Sequence, residues 1–186
     1  MRIISGFLKG KKINYLKNSN TRPLKDAVKE NIFNILKHSN LIIPKIEYSN
    51  VLDLYSGVGS FGIECISRGA DKVTFVEKDN HALNILKKNL SLLSILDKSE
   101  VFEGKIENKL KTEINNKYNI FFFDPPFLDN NFIENIKLIK QRNLFKKNHI
   151  VVIHRERGRD EDFNNILKIL DTKEYSRSKI IFGSFY

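Results

Sequence analysis

Two groups of residues in this 186-residue chain have the types and spacing to do chemistry. Asp124-Pro125-Pro126-Phe127 directly follows an apolar run at 119–123. The aspartate carboxylate and the Pro125 carbonyl are hydrogen-bond acceptors, two prolines stiffen the turn that aims them, and a phenyl ring offers a stacking surface. Such a set suits a planar base carrying an exocyclic amine. The amine's lone pair is delocalised into the ring, and acceptors placed on its N–H groups relocalise it, making the nitrogen a nucleophile. Attack on an electrophilic carbon then needs proximity and alignment, with no covalent intermediate and no metal.

The second group is Gly57, Gly59 and Gly62, spaced G-x-G-x-x-G after the run 51–55, with Glu77 twenty positions beyond Gly57. The glycines permit a tight turn with close backbone approach, Ser60 opens a helix whose N-terminus favours an anionic group, and Glu77 can accept from both hydroxyls of a ribose. That pattern alone also suits a dinucleotide. Asp53 separates the two cofactors. A carboxylate near the turn repels a pyrophosphate but attracts S-adenosylmethionine, which presents a sulfonium and an ammonium. The residues therefore point to methyl transfer from S-adenosylmethionine to an amino nitrogen.

Positioning both groups in one cleft requires a particular fold. Strand-like runs at 51–55, 72–76, 99–102, 119–123 and 149–153 alternate with helical patterns at 60–68, 80–93, 106–115, 131–140 and 161–170. This is the rhythm of an α/β doubly wound, mostly parallel sheet with helices on both faces. Residues 174–176 and 179–186 are β-prone and separated by little more than a turn, which predicts an antiparallel C-terminal edge hairpin and seven strands in all. Ahead of the sheet, 2–5 and 11–14 read as a hairpin or extended arm, 23–38 as an amphipathic helix, and 41–50 as a linker. The expected division is a basic extension over 1–40 and a methyltransferase domain over 41–186. If strand order reverses after the first strand, Asp124 opens beside the glycine turn.

Charge and composition narrow the partners. The formal charge is +10, and residues 1–25 hold seven basic side chains with no acid. A polyanion is the natural partner of such an arm, with Arg2, Lys9, Lys11, Lys12 and Arg22 as candidate contacts. His38, His81, His149 and His154 lack cysteine or acidic partners at ligand spacing, so no metal is expected. Cys65 is the one cysteine, which excludes an internal disulfide and suits a reducing cytosol. No run is apolar and long enough for a signal peptide or a membrane span, so a cytoplasmic protein is expected.

With these residues in hand, the chain resembles the bacterial 16S ribosomal RNA guanine-N2 methyltransferases of the small-subunit type, within the Rossmann-like class I methyltransferases. The resemblance is carried by Arg2-Ile3-Ile4 with Gly6, Lys9 and Gly10, by Thr21-Arg22-Pro23 with Asp26, Val28, Glu30, Phe33 and Asn34, by the stretch 53–64, by Ser67-Arg68-Gly69-Ala70, by Phe75-Val76-Glu77-Lys78, and by Asp124 to Phe127. It implies methylation of a guanine N2 in 16S ribosomal RNA, recognised on an assembled or partly assembled small subunit, by a monomer. It also implies Asp124, Pro125, Pro126 and Phe127 as catalytic, and Asp53, Tyr55, Ser56, Gly57, Gly59, Phe61, Gly62, Glu77, Lys78, Glu103 and Asp124 at the cofactor. Two departures stand out. Glu103-Gly104-Lys105 replaces the acid and small residue that relatives tend to place after the third strand. His154-Arg155-Glu156-Arg157 follows the fifth run and reads as a charged loop.

Other readings use the same residues. A DNA or RNA adenine-N6 methyltransferase shares the Asp124 chemistry, although reading DNA usually needs a recognition domain for which there is no room. A protein-glutamine methyltransferase prefers Asn at position 124. A nicotinamide-dependent oxidoreductase would use only the glycines, and a non-catalytic RNA-binding assembly factor would keep the fold without turnover.

Overall fold

The computed structural model describes residues 1–15, 24, 26–112, 116–126 and 128–186. Short runs of Val, Ile, Leu and Phe, suited to burial on both faces, become most of the parallel strands, and a more polar run becomes the edge strand at residues 99–103. These are β1 (Asn50–Leu54), β2 (Lys72–Glu77), β3 (Ser99–Glu103), β4 (Tyr118–Phe123) and β5 (Phe145–Glu156). Between and before them lie α1 (Asp26–His38), α2 (Ser60–Ser67), α3 (Asn80–Leu92), α4 (Ile106–Lys111) and α5 (Phe132–Gln141), and the chain closes with β6 (Leu167–Glu174) and β7 (Ser178–Phe185). The seven strands are ordered β3-β2-β1-β4-β5-β7-β6. The first five run parallel, and β7 lies antiparallel between β5 and β6, which gives the expected C-terminal hairpin.

Strand alternation sorts the core into two layers. Val51, Val73, Phe75, Ile120, Phe122 and Val152 pack with α1, α2 and α3, whereas Leu52, Leu54, Val76, Phe121, Phe123 and Ile153 pack with α4 and α5. Asp53, Asp124 and His154 fall in step with the first set. Arg155 falls in step with the second.

One predicted element is corrected. Residues 161–170 form no helix; 164–166 make a turn and Leu167 already opens β6. Phe163, Ile166, Leu167 and Leu170 have helical spacing, but Phe163, Ile166 and Leu167 bury themselves by turning onto the α5 layer. β6 is an edge strand with most residues exposed or half-buried, so it carries little hydrophobic alternation to announce it.

The amino-terminal arm packs against the fold. Ile3, Leu8 and Ile13 are buried with α1 and α2, and Arg2 and Lys12 form one antiparallel bridge in place of full strands. Gly6, at φ +83°, comes so close to the Ser67 carbonyl that a Cβ would sit 1.7 Å from its oxygen. Pro23 and Arg22 lie outside the described residues. Among the described residues no helix is long and apolar enough to cross a membrane, and no cluster of three or more His, Cys, Asp or Glu could hold a metal.

Candidate active site

Because β1 and β4 are neighbours, with Leu54 opposite Phe123, the residues that follow them leave the same edge of the sheet side by side. This is the switch point of a doubly wound sheet, beyond the carboxyl ends of its strands, where ligands bind. The backbone turns out of β1 through three left-handed residues, Tyr55 (φ +60°), Gly57 (φ +55°) and Gly59 (φ +86°). A Cβ on Gly59 would lie 2.5 Å from Leu86 Cδ1, and one on Gly62 would lie 2.4 Å from Phe75 Cε1. Those two glycines let α2 settle against the sheet. Gly57 differs, since nothing stands within 4 Å of where its Cβ would be.

Asp53 is buried, and its Oδ2 accepts from the Gly62 N–H at 2.9 Å. Burial pushes its carboxyl up to about 8, against the pull of the Gly62 N–H and with the carboxylates of Asp124 and Glu77 adding to the rise. Sealed from solvent, it ties the end of β1 to the first turn of α2. The ring of Phe61 does not face the cleft. It stacks in the core between Phe33 (centroids 5.1 Å apart) and Phe122 (3.9 Å), supporting the turn from below.

Glu77 closes the other side of the turn. Its Oε2 accepts from Gly57 N at 2.7 Å, and its Oε1 accepts from Lys78 N and Asp79 N at 2.8 and 2.9 Å. A carboxylate offers roughly four acceptor positions. One remains, so both hydroxyls of a ribose could be held only if one of these three N–H groups gives up its bond. Ser56 donates through its backbone N–H to the Val76 carbonyl at 3.1 Å. Tyr55 reaches toward α5, where its hydroxyl accepts from Asn135 Nδ2 and is hydrogen-bonded to Asp129; burial and that carboxylate push the phenol up. Glu103 pairs with Glu77 in register at the same edge and forms an exposed ion pair with Lys87.

Asp124 follows β4, and its Oδ1 lies 2.8 Å from Nδ1 of His154. Pro125 is buried and Pro126 exposed. The Pro126 carbonyl accepts from Arg155 Nη1 at 3.2 Å and from Asp129 N at 2.8 Å. Phe127 is outside the described residues. His154 and Arg155 correct the expected charged loop: both lie within β5, which runs to Glu156. Charged residues at a strand end gave no apolar signal, and their partners come from distant segments. Their one sequence clue is register, because Phe123 faces Ile153 and the next residues are Asp124 and His154.

The basic candidates Arg2, Lys9, Lys11 and Lys12 are all exposed on the arm. Glu64 of α2 holds that arm by accepting from Ile4 N (2.8 Å) and Ser5 N (3.0 Å). Two further residues that sequence reasoning missed connect the arm to the glycine turn. Lys29 Nζ donates to the Arg2 carbonyl at 3.1 Å and lies 3.4 Å from Ser60 Oγ. Asn89 accepts from Asn14 N and donates to the carbonyls of Asn14 and Val58.

The site fits S-adenosylmethionine in three respects: open space over Gly57, one remaining acceptor position on Glu77, and the carboxyl groups of Asp53, Glu77 and Asp124 gathered at one edge of the sheet.

Comparison with known proteins agrees with this geometry. A family model described as Conserved hypothetical protein 95 matches residues 1–184. The ribosomal RNA small subunit methyltransferase D of Haemophilus influenzae is 37% identical over 161 residues, 86% of this chain and 80% of that protein. The protein of the same name from Buchnera aphidicola (strain APS) is 34% identical over 155 residues, 83% of this chain and 78% of that one. A solved candidate methyltransferase from Escherichia coli superposes with TM-score 0.83 at 26% identity, covering 100% of this chain and 97% of that one. Matched over nearly its whole length, the chain belongs to the Conserved hypothetical protein 95 family, within the class I ribosomal RNA methyltransferases.

Proposed function

We propose that this chain transfers a methyl group from S-adenosylmethionine to the exocyclic N2 of a guanine in 16S ribosomal RNA, on an assembled or partly assembled small subunit in the cytoplasm. The observation that carries the reading is the pairing of β1 with β4, which sets the glycine turn and Asp124-Pro125-Pro126 at one edge of the sheet. The ribosomal substrate is supported by relatives named as small-subunit ribosomal RNA methyltransferases.

When bound, S-adenosylmethionine supplies a methyl group on a cationic sulfur that leaves as a neutral thioether. The chain's own residues do the rest. Asp124 and the Pro125 carbonyl accept from the N–H groups of the target amine and return electron density to its nitrogen. Methylation of that nitrogen would release an amine proton, which the Asp124 carboxylate is placed to take up. Glu77 favours a cation in the cleft by charge, while Asp53, whose buried carboxyl is pushed up to about 8, anchors the turn through Gly62 N. Exposed Arg2, Lys9, Lys11 and Lys12, with Arg22, meet phosphates.

The test is label transfer from S-adenosylmethionine to unmodified small subunits, free ribosomal RNA, transfer RNA and duplex DNA, with the product nucleoside identified by mass spectrometry. N2-methylguanosine from the ribosomal substrate is expected. N6-methyladenosine would keep the chemistry and overturn the base. Asp124→Ala should retain cofactor affinity and lose transfer; normal turnover in that variant removes Asp124 from its role.

A further inference from the structure

The carboxylate proposed to meet the target amine has two oxygens, and among the described residues only one of them has a hydrogen-bond partner. Asp124 Oδ1 sits 2.8 Å from His154 Nδ1, whereas Oδ2 takes no hydrogen bond from the described residues. An ionised carboxylate can only accept, so Nδ1 must carry the proton in this contact, which fixes the imidazole tautomer. Resting on the methyl-transfer reading above, we propose that His154 is a positioning residue: it locks the rotation of the Asp124 side chain and turns Oδ2 toward the amine.

Three observations converge on this. The terminal torsion of an aspartate is broad and nearly two-fold, so an untethered carboxylate presents its oxygens over a wide arc. β5 supplies the tether from a rigid position, because His154 is the residue after Ile153, the register partner of Phe123. His154 is also well packed, its side chain 12% exposed against 26% for Asp124, so the tether is held more tightly than the group it holds. Next in sequence, Arg155 points to the opposite face and grips the Pro126 carbonyl at 3.2 Å, with Glu161 at 2.7 Å on its Nε. Consecutive residues of one strand thus clamp the Asp124–Pro126 turn from both sides, His154 at the carboxylate and Arg155 at the backbone.

The test uses the full chain, with His154→Leu and His154→Asn compared with wild type. Asparagine places an amide N–H the same number of bonds from Cα as Nδ1–H, whereas leucine offers no donor. His154→Leu should lower kcat roughly 10- to 100-fold, as expected for a misaligned reacting group, with S-adenosylmethionine affinity by calorimetry unchanged. His154→Asn should recover to within roughly threefold of wild type, the residual cost of a looser donor. Wild-type turnover in the leucine variant overturns the inference. So does an asparagine variant that folds, binds cofactor and stays as slow as leucine, because proton acceptance by the imidazole would then be the role. If wild type labels no RNA, the methyl-transfer reading fails, and the tether is still decided by imidazole 15N signals: a protonated Nδ1 that is lost in Asp124→Ala is expected, and an Nε2–H tautomer in wild type overturns it.

Discussion

Two buried ionic clusters flank the cleft, and they are built around opposite charges. On the α2 side the hub is an anion. Glu64, fully buried, gathers the backbone N–H groups of Ile4 and Ser5, the Arg68 guanidinium at 2.8 Å and Lys29 at 3.8 Å. On the β5 side the hub is a cation. Arg155, equally buried, donates to Glu161 and to the Pro126 carbonyl and lies 4.4 Å over the Phe132 ring, while Lys179 pairs with Glu161 at 3.1 Å. The difference follows from what each hub must hold. The arm offers backbone N–H groups, which an anion can collect. A turn made of Pro125 and Pro126 has no N–H to give at either residue and can be tethered there only through its carbonyls, which call for donors, here the Asp129 N–H and the Arg155 guanidinium.

The comparison predicts separable consequences. Glu64→Ala leaves buried Lys29 with only the half-exposed Asp26 carboxylate at 3.9 Å and should cost about 3–5 kcal/mol of stability, read by urea unfolding. A loss under 1 kcal/mol would make the anion hub dispensable. Arg155→Met leaves the Pro126 carbonyl with the Asp129 N–H alone while Glu161 keeps Lys179, so the main effect should fall on kcat, by roughly 10- to 100-fold or about 1.4–2.8 kcal/mol. RNA affinity should hold; a fall in RNA affinity with kcat intact would reverse the division of labour. Asp53 is a buried acid outside both hubs. Its folded pKa, near 8, is raised above the unfolded value, so the proton it holds stabilises the fold at low pH. That contribution is lost as pH rises toward 8, at a limit of about 1.4 kcal/mol per unit. Asp53→Asn should flatten the dependence, and parallel unfolding curves from pH 5 to 8 would show that Asp53 ionises as easily folded as unfolded. Neutralising Lys9, Lys11 and Lys12 sharpens the arm's side of the comparison: the slope of log affinity against log salt should fall by about 2, at roughly 0.7 per single-strand phosphate. An unchanged slope moves the RNA surface off the arm.

The parts of this design legible in the sequence were those with local signatures. β1, β2, β4 and the middle of β5 could be read because parallel strands buried on both faces are apolar runs, β3 from its place in the strand–helix alternation, and Gly57 to Gly62 because a turn between strand and helix needs those residue types. What escaped was non-local. β6 was hidden because an edge strand buries little, and the spacing of Phe163, Ile166 and Leu167 imitated a helix. Lys29 and Glu64 gave no local signal, because their partners Arg2, Ile4 and Ser5 lie on the arm. His154 and Arg155 looked like a loop because their partners, Asp124, Pro126 and Glu161, come from other parts of the chain.

The bond from Asn14 N to Asn89 Oδ1 spans 75 residues, and those from Ile4 and Ser5 to Glu64 span 60 and 59. Chain synthesis proceeds from the amino terminus at roughly 5–20 residues per second. Residues 1–14 are therefore made well before the helices that receive them, and their partner Asn89 follows several seconds later at that pace. Through that interval Arg2, Lys9, Lys11 and Lys12 belong to an undocked basic peptide, and the arm takes its place only when α2 and α3 are there to hold it.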